Sequence, residues 1–177
     1  MPDLPERRYG ERGRKPTLVH TKDGKEAAER ICRWATNPAH QDEQAAVFFW
    51  RTKHIEVFLK EIGKINPLIG DSPVKVQKSY FGGRGGPDEL NWDDPGIKLL
   101  TYSGNKGTEF EAVFMPELQK IYGPLSDPSR KETKQTFYVA ITRARNELSV
   151  MYSGSGEPKL LSLFRKDQFD GPDAPTI

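Results

Sequence analysis

Only one cysteine, Cys32, occurs in 177 residues, which excludes an internal disulfide and most cysteine-based metal sites. It falls among Ala27, Ala28, Ile31 and Trp34 at helical spacing and reads as a buried structural thiol rather than a reactive one. The histidines, His20, His40 and His54, are too dispersed to suggest a metal site, and none is expected. No apolar run approaches the length of a membrane span, and the opening Met1-Pro2-Asp3-Leu4-Pro5 has no signal-peptide core, so a soluble protein of the cytoplasm is expected. The chain has no internal repeat and no G-x-x-x-x-G-K-[ST] phosphate loop. Its hydrophobic fraction of 35% is low, and 29% of the residues are charged, yet the net charge is only +2. That balance neither demands nor excludes a nucleic-acid partner, because a basic groove can coexist with an acidic back.

What is present reads as strands alternating with helices. Thr17-Leu18-Val19-His20 is a short strand, and Asp23-Gly24 turns into a helix over roughly Lys25 to Ala35 that Asn37-Pro38 stops. Ala45 to Trp50 is a continuous apolar run, as expected of a strand covered on both faces in a parallel sheet. Arg51-Thr52 then leads into a helix through about Ile62. Val74 to Tyr80 alternates like a half-exposed strand, and Gly82 to Gly96 is a long glycine-rich loop holding Trp92. Two strands, Ile97–Thr101 and Ala112–Met115, bracket a polar turn. A proline-punctuated loop, Pro116 to Pro128, precedes a helical stripe of Phe137, Ala140, Ile141, Ala144 and Leu148 from which Arg143 and Arg145 project. Leu148 to Tyr152 is the last strand. This order predicts an α/β fold with a parallel sheet flanked by helices. Ligands collect at the carboxyl ends of such strands, so the arginines and the turn after Thr101 are expected at one rim. Residues 1–15 read as an extended arm or the edge of a longer protein, 16–165 as the domain, and 166–177 as a frayed tail.

Two segments carry the chemistry. The glycines of Tyr102-Ser103-Gly104-Asn105-Lys106-Gly107-Thr108-Glu109-Phe110 let backbone N–H groups approach a ligand, and Lys106 adds a point charge. A guanidinium on the packed stretch Phe137 to Arg145 can reach across a cleft to a polyphosphate with a fork of donors. Each alone is weak, since glycine-lysine turns and solvated arginines are common.

Together they resemble a known pattern. Thr101 to Phe114 resembles motif V of the UvrD/Rep-type superfamily 1 helicases, T-x-H-x-x-K-G-L-E-F-x-x-V-F, with Ser103 at the histidine and Thr108 at the leucine. Tyr138-Val139-Ala140-Ile141-Thr142-Arg143-Ala144-Arg145 resembles motif VI of the same family, and Ala46 to Thr52 resembles the strand that opens the second half of these motors. The resemblance implies the second of two RecA-like domains, without the Walker A half, with ATP and Mg²⁺ bound jointly with the N-terminal RecA-like domain. It implies Arg143 as the arginine finger on the γ-phosphate, Glu109 at the ATP ribose, and Gly107 in the turn beside the nucleotide. Thr101, Ser103 and Lys106, with Arg51 and Thr52, would meet single-stranded or partly duplex DNA. Relatives insert an extra domain where residues 82–96 form a loop here. Translocation would run 3′ to 5′, and the chain alone would not hydrolyse ATP. The alternative is a free-standing, non-catalytic RecA-like module that binds nucleic acid or a partner protein. The RecD-like branch shares the motif VI string but typically has glutamine where Lys106 stands.

Overall fold

The computed structural model describes residues 14–65, 74–78, 91–104 and 107–170. Most of the expected arm, the greater part of the loop from Gly82, Lys106 and the end of the tail lie outside these residues, as do the last two positions of the strand expected over Val74 to Tyr80.

Among the described residues, six strands form one sheet in the order β1-β6-β5-β2-β4-β3, and every pair is parallel. The strands are β1 (Thr17–Thr21), β2 (Gln44–Phe49), β3 (Val76–Lys78), β4 (Gly96–Thr101), β5 (Phe110–Met115) and β6 (Ala144–Ser153). The helices are α1 (Gly24–Thr36), α2 (Thr52–Ile65) and α3 (Lys131–Ile141). Strand β2 sits inside the sheet, and its alternate side chains enter opposite layers. Ala45, Val47 and Phe49 join the cluster of α1 and α2 residues, including Ile31, Ile55 and Phe58. Ala46 and Phe48 join the cluster holding Phe137 of α3, Tyr102 and Leu160. A strand buried on both faces has no polar side to show, which is why residues 45–49 read as one unbroken apolar run.

Local chemistry sets the helix ends. The Asp23 carboxylate accepts from the Glu26 N–H at 2.9 Å, satisfying one orphan donor at the start of α1, and Glu26 reaches back to the Lys22 N–H, just before the cap, at 2.8 Å. Asn37 turns extended at the other end, and its side chain caps the 3-10 turn of Pro38–His40. Cys32 is fully buried on α1, and burial pushes its thiol up to about 11. No helix among the described residues is long and apolar enough to cross a membrane.

Three expectations change. The helical stripe ends at Ile141: Ala144 and Leu148 belong to β6, so Arg143 lies in the turn after α3 and Arg145 in a strand. The switch is local. The Thr142 hydroxyl donates back to the Val139 carbonyl at 3.0 Å, the Arg143 N–H closes a tight turn on the Ala140 carbonyl at 3.2 Å, and the Arg143 carbonyl then accepts from Phe110 N–H at 2.8 Å. Second, the strands on either side of the polar turn are not sheet neighbours, because β2 lies between β4 and β5. Since all three run the same way, the chain leaves β4 at the carboxyl edge of the sheet and enters β5 at its amino edge. Third, the arginines and the turn after Thr101 therefore do not share a rim. Helix α3 returns the chain from the end of β5 to the start of β6, which places Arg143 at the amino edge while Thr101 ends β4 at the carboxyl edge.

Gly96, which begins β4, is the glycine with the clearest steric duty. Its φ is +112°, and a Cβ there would lie 2.6 Å from the Lys75 carbonyl oxygen, the acceptor for Ile97 N–H. Gly96→Ala is expected to destabilise the fold by about 1–3 kcal/mol from backbone strain, with the contact added. A urea melt checks this, and an unchanged midpoint would contradict it.

Candidate functional site

The amino edge is built by β5, β6 and the turn after α3. Arg145 is exposed, but its guanidinium is engaged: Nε donates to Glu109 at 3.2 Å and a terminal nitrogen to Glu111 at 3.4 Å. Glu111 also accepts from the Gln44 N–H at 3.0 Å, which ties the pair to the start of β2. A bulge assists this, since β6 advances from Ala144 to Glu147 while β5 advances only from Phe110 to Ala112. Arg143 differs. It is half-buried, and its Nε is shielded from solvent with no hydrogen-bond partner among the described residues. A buried guanidinium donor without a partner costs free energy unless an acceptor arrives, and a phosphate oxygen is the acceptor whose geometry suits it. Gly107, with φ +75°, is exposed at the approach to this edge, and Glu109 follows it.

Trp92 stands near this edge as well. The residue is 40% exposed, its ring lies 6.3 Å from that of Phe110, and its carbonyl accepts from the Gln44 side chain. The loop carrying it is held by Lys98, a fully buried lysine whose Nζ donates to Gln77 Oε1 at 2.7 Å and to the carbonyls of Asn91 and Asp94, both at 2.8 Å. Burial pulls this ammonium below the usual lysine range against the attraction of Asp94, and three acceptors compensate it. Trp92 is therefore both anchored and partly exposed.

The carboxyl edge gathers the other group of expected residues. Thr101 and Ser103 pair through their hydroxyls at 3.3 Å, and Ser103 is exposed. Arg51 and Thr52 are exposed where β2 passes into α2. Lys106 lies outside the described residues. Phe48, Phe49 and Phe58 are core residues, in keeping with their apolar context. Tyr102 packs the segment after β4 against α3: its buried ring stacks on Phe48 at 5.7 Å and meets Phe137 of α3 at 5.1 Å, and burial raises its phenol well above the usual range. The crossing segment is thus pinned to the helix that delivers Arg143.

Sequence reasoning passed over Tyr122, Lys53 and Lys120, which also stand around Arg51. The available signal was slight: one aromatic residue in the polar, proline-bounded stretch Pro116 to Pro128.

The six-stranded parallel sheet flanked by helices, with Arg143 at its amino edge and a polar, cationic rim at its carboxyl edge, has the RecA-like fold. Residues 86–155, from ahead of β4 to just past β6, match the UvrD-like helicase C-terminal domain family. Solved structures agree on the fold. The C-terminal domain of a possible DNA helicase from Lactobacillus plantarum WCFS1 is 22% identical with a TM-score of 0.51, over 86% of this chain and 82% of that one. The C-terminal domain of the DEAD-box protein Dbp5 is 10% identical with a TM-score of 0.53, over 85% of this chain and 81% of that one. The HK97 bacteriophage large terminase is 13% identical with a TM-score of 0.50, over 85% of this chain and 32% of the terminase. No curated protein matches the chain significantly.

Proposed function

We propose that this chain is the C-terminal motor half of an ATP-dependent DNA helicase or translocase. Its amino edge completes an ATP site whose Walker A half lies in a separate N-terminal RecA-like domain, and its carboxyl edge contacts single-stranded DNA. The observation that carries this reading is the contrast between two neighbouring arginines. Arg145 is clamped by Glu109 and Glu111, whereas Arg143 has a shielded Nε without a partner among the described residues. Arg143 would donate to the γ-phosphate and stabilise the charge that develops there during transfer. Glu109, fixed by Arg145, would accept from the ribose, and Gly107 would let the backbone approach the nucleotide. The described residues contain no cluster of three or more metal-ligating side chains, so Mg²⁺ would be held by the phosphates and the partner domain.

Thr101, Ser103, Lys106, Arg51 and Thr52 would contact the nucleic acid. Residues 102–109 would carry the state of one edge to the other, because Tyr102 and Phe137 pack together at 5.1 Å between them. The 3′ to 5′ direction rests on the motif resemblance. Joining the chain to a Walker A-bearing UvrD-type N-terminal domain, by fusion or by mixing, is expected to produce ATP hydrolysis stimulated by single-stranded DNA that neither piece shows alone. DNA binding without any such hydrolysis would favour a non-catalytic module.

A further inference from the structure

We propose that Tyr122, together with Arg51 and Lys53, forms a base-stacking shelf for single-stranded nucleic acid at the carboxyl edge. The proposal rests on the assignment of that edge to the nucleic acid, and it names a contact in a segment that carries no motif. Tyr122 is 44% exposed, although the residues around it are held inward. Ile121 and Leu125 are both buried in the α3 layer, and Gly123 with φ +74° opens the 3-10 turn of Gly123–Ser126. The segment is thus pinned on either side of a ring that faces out. An exposed aromatic ring on an anchored segment gives up little conformational freedom when a base stacks on it.

The charges around the ring support a polyanion. The Arg51 guanidinium carbon lies 4.7 Å from the Tyr122 ring centre and 5.5 Å from that of Trp50, and Lys53 Nζ lies 5.6 Å from Tyr122. Trp50 meets Tyr122 edge-on at 6.3 Å and is itself half-buried against the core, so it backs the arrangement. Lys120 is nearby, and the acidic neighbour, Glu117, is buried and already paired with it. His54 feels Glu117, Lys120, Lys53 and Arg51, but burial holds its imidazole below the usual range, so it adds no charge at neutral pH. A ring flanked by cations is the combination by which single-strand binders hold a base on an aromatic face and its phosphates on basic side chains. Arg51 then acts in two ways: it orients the ring in the free protein and donates to a phosphate when a base arrives.

The test is a fluorescence anisotropy titration of the full chain with labelled oligothymidylate and with an abasic oligonucleotide of the same length, at fixed salt. The wild type is expected to prefer the oligothymidylate. Tyr122→Leu should weaken oligothymidylate binding by about tenfold or more and erase the preference, while Tyr122→Phe keeps both. Lys53→Gln should lower the salt slope by about one and leave the preference intact. A thermal melt matching the wild type establishes that Tyr122→Leu is folded. Equal binding of the two oligonucleotides by the wild type, or undiminished oligothymidylate binding by folded Tyr122→Leu, overturns the shelf while leaving the phosphate-contacting edge in place. Binding of neither oligonucleotide by the wild type overturns both.

Discussion

Arg143→Ala is expected to lower DNA-stimulated ATP hydrolysis of the chain joined to its N-terminal partner domain by about 10³–10⁵-fold, the range over which arginine fingers act on phosphoryl transfer. Steady-state phosphate release measures it. The size follows from where the charge lies. A guanidinium held on a packed element reorganises little at the moment of transfer, and it acts in a cleft closed from water. Arg143 is held by the end of α3, whose Phe137 is locked in the core. The variant should fold, because the Arg143 backbone carbonyl, not its side chain, makes the 2.8 Å bond to Phe110. Arg143→Lys should restore little, since an ammonium is a point charge without the planar fork. Loss of turnover with nucleotide affinity nearly kept would mark an interaction made mainly in the transition state.

Phe137→Ala is expected to cost about 3–5 kcal/mol of stability, read as a fall in the denaturant midpoint at unchanged slope. Phe137 is almost wholly buried, and its ring meets Tyr102 at 5.1 Å and Phe164 at 6.3 Å. Removing it leaves a cavity between α3, the crossing segment and the C-terminal turns, where Phe164 is itself held by Phe169 at 5.8 Å. A loss below about 1 kcal/mol would show that α3 is not fixed through this contact. Because Tyr102 leans on the same ring, a variant kept folded at low temperature should also hydrolyse ATP with less stimulation by DNA.

Much of this architecture is legible in the residues themselves, and the rest is hidden for identifiable reasons. The unbroken apolar run after Gln44 reads as a strand covered on both faces, and β2 lies inside the sheet. Asn37-Pro38 marks the end of α1 because asparagine caps a turn that proline can begin. The end of α3 was not legible. Leu148 fits helical spacing from Ala144 as well as it fits a strand, and only the bond between Arg143 and Phe110, 33 residues apart in sequence, decides the matter. The separation of the two edges depends on β2 lying between β4 and β5, a pairing choice no local pattern records. Lys98 shows the same limit: its letter predicts exposure, and three acceptors drawn from β3 and the loop before β4 bury it. Tyr122 was obscure because exposure of one aromatic residue in a loop follows from burial of its neighbours Ile121 and Leu125.

The two arginines of the amino edge offer the most direct measurement. Arg143→Ala and Arg145→Ala, compared side by side in the joined motor by single-turnover ATP hydrolysis with saturating single-stranded DNA, separate a finger from a structural clamp. The Nε of Arg143, unpartnered among the described residues, and the engaged guanidinium of Arg145 predict near-complete loss of the chemical step for the first and a modest loss for the second. Turnover that survives in Arg143→Ala, or that is lost equally in both, would contradict the assignment of Arg143 as the group that reaches the γ-phosphate.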